Sequence, residues 1–174
     1  MIHIVLYQPE IPQNTGNIIR TAMAINATLH LIKPLGFSLD EKSLKRAGMD
    51  YIKDVELEVY ENVEEFYKKN KGADIYYVTR YASKPHSSFD FSKVTKDYFF
   101  MFGKESSGIP HDLLRGNKDK LMRIPMSMNA RSLNLSNSVA IVTYEACRQQ
   151  NYFDLSTFEA IKGEDFLEEE VIDE

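Results

Sequence analysis

The tightest constraint on this chain is a rhythm: short apolar runs rich in β-branched and aromatic residues, separated by stretches with helical spacing. IHIVLY (2–7), TLHLI (28–32), VELEVY (55–60), ADIYYVT (73–79) and YFFMFG (98–103) read as strands. Residues 14–26, 39–46, 62–69, 112–114 and 135–149 read as helices, the last most strongly. A strand that is followed by a helix and then another strand lies parallel to its neighbour, and each crossover helix covers one face of the sheet. The expected class is therefore α/β, a mostly parallel sheet with helices on both faces. No repeat, low-complexity stretch or Gly/Ser linker divides the 174 residues. One domain is expected over 1–153, followed by an acidic tail over 154–174.

That tail changes the meaning of the charge. A net charge of −5 argues against a polyanionic partner, yet Asp154 to Glu174 hold nine carboxylates and one lysine, so the other 153 residues carry about +3. The body is mildly basic. The single cysteine, Cys147, cannot form an internal disulfide and has no metal-ligand spacing around it, so a reducing, cytoplasmic setting is expected. MIHIVLYQPE lacks the basic and apolar regions of a signal peptide, and no run reaches the roughly 18 apolar residues of a membrane span, so no membrane partner is expected.

Loops rich in Gly, Pro, Ser and Asn follow the strands: QPEIPQNTGN after the first, GKESSGIP after the fifth, and PMSMNARSLNLSN after a short LMRI segment. In open α/β sheets, ligands bind beyond the carboxyl ends of the strands, so a site is sought there. In the first loop Asn14 or Thr15 is placed to cap the following helix, and Arg20 stands on that helix's first turns. An arginine at such a junction either holds a phosphate or an oxyanion through its planar fork or is an ordinary surface charge. In the second loop, Gly103 and Gly108 flank a polar cluster and let backbone approach a ligand. No Gly-Lys-Ser/Thr closes it and no GxGxxG occurs, which speaks against nucleotide hydrolysis and a dinucleotide site. The third loop supplies more small hydrogen-bonding side chains, Ser127 to Ser138, than one helix cap requires, which suggests a ligand held by backbone and hydroxyl groups.

The four histidines, His3, His30, His86 and His111, form no metal-binding pattern, so no metal is expected. His3 and His30 fall in strand runs and read as structural. No nucleophile elbow with Ser-His-Asp order is present. In the last helix Val139, Val142 and Ala146 share a side, so by spacing alone Tyr144 and Cys147 read as core. A positioning enzyme or a binding module remains.

Taken together and in this order, IVLYQPEIPQNTGNIIR, HLIKPLGF, RAGMDY, MFGKESSGIP, RIPM and RSLNLSNSVAIVTYEACRQ closely resemble the SPOUT class of RNA methyltransferases. The closer likeness is to its tRNA (cytidine/uridine-34-2′-O)-methyltransferases, over about residues 2–152. The resemblance implies a C-terminal trefoil knot, a feature nearly absent among folds, and a homodimer whose chains jointly build the site. It implies S-adenosylmethionine seated in the knot by Val78, Thr79, Gly103, Ile124, Met128 and Ser132, mostly through backbone. It also implies that the ribose of the wobble nucleotide in a tRNA anticodon stem-loop receives the methyl group.

By the same resemblance, Arg20 is the catalytic candidate, with Asn14, Glu105 and Asn134 beside it. Arginine stays protonated in proteins, so the reading adopted is that Arg20 binds the developing oxyanion or a neighbouring phosphate, with Asn14 and Glu105 fixing its direction. Arg20, Arg131 and Tyr144 are the expected RNA contacts, and Lys33, Lys42, Lys45, Arg46, Lys104, Arg115 and Arg123 form a pool for phosphate contacts. Three rivals stand beside this reading: methylation of ribosomal RNA on the same fold, an RNA-binding module without activity, and a nucleotide-binding α/β protein of unrelated function.

Overall fold

In the computed structural model, residues 1–46, 50–163 and 165–167 are described. Of the RAGMDY motif, Ala47 to Met49 lie outside them, as does part of the acidic tail. Six parallel strands form one sheet: β1 (Ile2–Tyr7), β2 (Thr28–Ile32), β3 (Leu57–Tyr60), β4 (Ile75–Val78), β5 (Tyr98–Phe102) and β6 (Leu121–Met122), in the order β3-β2-β1-β5-β4-β6. The helices are α1 (Pro12–Ala24), α2 (Glu41–Arg46), α3 (Val63–Lys69), α4 (His111–Arg115) and α5 (Leu135–Gln149). The third strand begins at Leu57, not Val55, because Val55 turns into the core at a bend before the ladder starts.

Alternation along the central strands sorts side chains onto two faces. Ile4, Leu6, Phe100 and Phe102 join Ile18, Ile19, Val139 and Val142 under α1 and α5. Val5, Phe99 and Met101 point the other way, to Phe66 of α3 and Leu114 of α4. Both faces are thus sealed, which is why the central strands read as unbroken apolar runs.

The edge of the sheet does something that periodicity could not announce. On one side β6 pairs with β4, and Met122 O accepts from Thr79 N at 2.9 Å. On the other side Arg123 N donates to Lys84 O at 2.9 Å and Arg123 O accepts from His86 N at 2.8 Å. The loop from Thr79 to His86 therefore encircles residues 122 and 123. Beyond it, the Gln149 side chain of α5 bonds Phe91 N at 2.7 Å and Phe89 O at 3.0 Å. A chain passing inside that loop and returning to pack against its far arm is the arrangement a C-terminal knot requires.

Candidate active site

The strand order reverses at the centre of the sheet: after β1 the chain builds outward through β2 and β3, and then returns to the other side for β4 and β5. Loops leaving neighbouring strands diverge at such a point and leave a crevice at the carboxyl ends. Here the crevice is a cleft of about 530 Å³. Its floor is Val78, Phe102 and Ile124, one wall is the Gly103–Ile109 loop, and the opposite wall is Ser132 to Leu135.

The first loop shows how the walls are fixed. Residue spacing suggested Asn14 or Thr15 as the cap of α1, but the helix starts earlier, with Ile11 as cap residue and Pro12 in the first turn, where its missing N–H is no loss. Ile11 offers no side-chain cap. Its place is taken by a distant carboxylate: Glu105 accepts from Glu10 N at 2.8 Å and Ile11 N at 3.1 Å. A negative charge at a helix N-terminus is favourable. Asn14, freed from capping and buried inside the helix, donates from Nδ2 to Glu105 Oε1 at 3.1 Å.

The same Asn14 links the third wall. Its Oδ1 accepts from Asn134 Nδ2 at 3.0 Å, and Asn134 Oδ1 in turn caps α5 by accepting from Ser136 N at 2.9 Å and Asn137 N at 3.3 Å. One hydrogen-bonded chain, Glu105 to Asn14 to Asn134, therefore ties all three loops. Glu10 closes it from the other side: its carboxylate accepts from Ser106 N at 2.8 Å and Ser106 Oγ at 2.9 Å. These bonds, the backbone one foremost, hold the Glu10 carboxyl below the usual carboxylate range.

Gly103 and Gly108 answer a geometric need. A Cβ on Gly103 would stand 2.1 Å from the Gly108 carbonyl carbon, and Gly108 has φ +72°, which favours glycine. The loop folds so tightly on itself that only hydrogen fits at 103. Across the cleft, the backbones of Ile124 to Met126 and Arg131 to Leu133 make no hydrogen bond with other backbone groups among the described residues. Their C=O groups, and their N–H groups except at Pro125, which has none, remain available to a ligand.

Of the expected residues, Asn14, Glu105 and Asn134 meet in this cleft, together with Val78, Thr79, Gly103, Ile124 and Ser132. Met128 does not line it. It is fully exposed and belongs to a neighbouring pocket with Arg131. Arg20 lies six residues beyond Asn14 on α1, exposed and away from the cleft lining of its own chain. Tyr144 is half-exposed on α5 rather than core. Spacing alone had placed it in the core; the neighbours that are buried, Val142, Thr143, Ala146 and Cys147, leave it on the outer face. Glu10, Arg80, Tyr81 and Ser106 escaped the sequence reading. The EIP and ESSG segments around Glu10 and Ser106 hold the only trace of them, since their pairing is made by folding.

The model of the SpoU rRNA methylase family matches residues 1–144. The chain belongs to the SpoU methylase family. A Bacillus subtilis (strain 168) protein, provisionally assigned as a tRNA (cytidine(34)-2′-O)-methyltransferase, is 54% identical over 154 residues, covering 88% of this chain and 96% of that protein. A solved structure described as giving insights into the 2-OH methylation of C/U34 on tRNA is 41% identical, with a TM-score of 0.78, and covers 87% of this chain and 97% of that one. An AdoMet-bound rRNA methyltransferase from Sinorhizobium meliloti superposes with a TM-score of 0.71 at 29% identity, over 84% of this SpoU chain and 56% of its own.

Among the described residues, no helix is long and apolar enough to cross a membrane. No group of three or more His, Cys, Asp or Glu side chains is placed to hold a metal ion, again among the described residues.

Proposed function

We propose that this SpoU protein transfers a methyl group from S-adenosylmethionine to the ribose 2′-oxygen of the wobble nucleotide, cytidine or modified uridine at position 34, in a tRNA anticodon loop. The observation that carries the reading is the cleft. Three loops at the carboxyl ends of the strands are tied by Glu105, Asn14 and Asn134 around free backbone groups. The 54% identical Bacillus relative and the C/U34 structure give the acceptor.

The cofactor fits the residues present. Val78, Phe102 and Ile124 offer an apolar floor, and the tight turn at Gly103 together with the unbonded backbone of 124–126 and 131–133 offers donors and acceptors. When bound, S-adenosylmethionine supplies an electrophilic methyl group, so the difficult chemistry is the cofactor's. The chain's own task is alignment. Holding a ribose oxygen in line with that methyl group lowers the barrier by up to about 7–11 kcal/mol.

Glu105 is a positioning residue in this scheme, since its two oxygens already accept three hydrogen bonds from the first loop. Arg20 binds the developing oxyanion or the adjacent phosphate, which eases loss of the 2′-hydroxyl proton to water or phosphate as the methyl group leaves the sulfonium. Because it stands outside its own cleft, the reading includes a homodimer in which Arg20 serves the other protomer's site. The exposed Ile141 and Tyr144 of α5, which packs on α1, give that interface apolar area. Residues 1–153 form the methyltransferase domain, 154–174 an appended acidic tail, and the protein works in the cytoplasm.

The test is transfer of labelled methyl groups to bulk tRNA and, in parallel, to ribosomal RNA, both from a strain lacking the gene, with the modified ribose mapped by mass spectrometry. Methylation at nucleotide 34 of tRNA is expected. Transfer to ribosomal RNA alone moves the assignment to the other RNA, and absence of transfer to either leaves a binding module. Arg20→Lys should lower transfer at least tenfold by losing the planar fork; near-full turnover would remove the arginine from the mechanism.

A further inference from the structure

Beside the cleft lies a second pocket, of about 490 Å³, whose charged walls are Arg80, Arg123 and Arg131. Among the described residues, no carboxylate lines it. Pro125, Met126, Ser127, Met128 and Ala130 complete it, and Arg80 and Met126 also line the cleft, so the two cavities share a wall.

Several other cations of this protein are ion-paired, which these arginines are not. Arg115 is paired with Asp112, Arg148 with Glu145, Lys33 with Glu61 and Lys69 with Glu65. Among the described residues, Arg80, Arg123 and Arg131 have no ion-pair partner, and Arg80 lies over the ring of Tyr81 at 5.4 Å. Three like charges converging on one concavity repel each other, and among the described residues no carboxylate pairs with them. Two of the three are held by the fold. Arg123 is held through both its backbone N–H and its C=O by Lys84 and His86, and Arg80 follows directly on the Thr79 N to Met122 O bond.

We propose that this pocket seats a backbone phosphodiester of the RNA next to the reacting ribose, with Arg80, Arg123 and Arg131 as its ligands. The inference rests on the methyltransferase reading and names how the acceptor strand is gripped. A guanidinium offers two parallel N–H donors that match two phosphate oxygens, so three of them fix the strand's register as well as its charge. Because Arg80 and Met126 line both cavities, a phosphate seated here adjoins the cleft, as a flanking phosphate adjoins a ribose along one strand. Tyr81, exposed on the lining of the adjoining cleft and edge-on to His111 at 5.1 Å, marks the path of the strand between the two.

The test measures binding of a synthetic anticodon stem-loop RNA to the full-length protein across a range of salt concentrations. Arg123→Gln, Arg131→Gln and the double variant Arg80→Gln/Arg131→Gln are compared with wild type, and Lys69→Gln serves as a charge-matched control on α3. S-adenosylmethionine binding by calorimetry and the unfolding midpoint report whether each variant is intact. Each pocket arginine should lower the slope of log affinity against log salt by about 0.7–0.9, and the double variant should weaken RNA binding roughly tenfold or more. Arg123→Lys should retain the slope while binding more weakly.

Slopes equal to wild type in all three variants overturn the arginine seat and leave the methyltransferase reading standing. Wild-type protein that binds S-adenosylmethionine but no RNA overturns both. Competition by cytidine 5′-monophosphate as strong as by the stem-loop assigns the pocket to a free nucleotide and also overturns the proposal. Should a glutamine variant fail to fold, the slope and affinity of Arg123→Lys decide, because a seat for phosphate separates charge from fork geometry and a structural arginine does not.

Discussion

Two hydrogen-bonded chains cross this protein, and their contrast explains how its polar residues are used. Beneath α3, His3 Nδ1 meets His30 Nε2 at 3.0 Å, His30 Nδ1 meets Tyr60 Oη at 2.8 Å, and Tyr60 Oη donates to Glu58 at 2.6 Å. His3 stacks on Phe99 at 4.0 Å, and His30 and Tyr60 both meet the Phe66 ring. At the other end of the strands, Glu105, Asn14 and Asn134 form the cleft chain. In the first chain, aromatic rings close over the polar atoms, and His30 and Tyr60 are bonded at each polar atom while His3 Nε2, buried, has no hydrogen-bond partner among the described residues. In the second, the side chains satisfy one another while the backbone beside them stays open. Polar satisfaction stabilises a fold in one place and shapes a binding surface in the other.

The largest way to break the contrast is to collapse the open half. In Gly103→Ala the new methyl group meets the Gly108 backbone at 2.1 Å, so the loop must move off its wall. S-adenosylmethionine affinity should fall at least ~100-fold, about 3 kcal/mol, as read by calorimetry, with the sheet intact by circular dichroism.

Acid sharpens the contrast from the sealed side. Burial, and then the neighbouring His3, lower the His30 pKa from 6.5 to about 4, against the pull of Glu58, and burial lowers His3 as well despite Asp97. Both are neutral in the folded protein and bind protons more readily when unfolded. Their contribution is therefore fully present above pH about 6.5 and is lost as pH falls toward about 4, amounting to roughly 3 kcal/mol for His30. Urea unfolding at pH 7 and pH 4.5 should show the drop, and in His30→Gln a clearly smaller one. Equal drops in both proteins would place the acid sensitivity elsewhere.

The smallest effect is expected outside both chains. Removing residues 154–174 should shift the unfolding free energy by less than about 1 kcal/mol, since Asp154 to Phe158 touch the body through little more than Asp154 O to Asn26 and Leu155. A loss of several kcal/mol would make the tail part of the domain.

Much of this was legible in the residues. The strand runs and α5 fall within one or two residues of the observed elements, because burial on both faces leaves a continuous apolar record. Asn14 shows where legibility stops. Asn before a helix signals a cap locally, and the role it took instead depends on Glu105, 91 residues away. The encircling loop at Lys84 to His86 and the arginine pocket are likewise products of tertiary placement, and Arg80 carries no local mark at all. Met128 shows the converse: a motif match located it in the cofactor loop, and the chain turns it out to solvent.

The most direct test of the account pairs Asn134→Ala with His30→Gln and measures methyl transfer to tRNA and the unfolding midpoint of each, at a temperature where both are folded. Asn134→Ala should lose transfer by a factor of about 10–100 while giving up only the roughly 1 kcal/mol of a lost helix cap, and His30→Gln should lose 1–3 kcal/mol of stability with its transfer rate near wild type. Wild-type transfer by Asn134→Ala, or a lost rate in a stable His30→Gln, would contradict the division between the two chains.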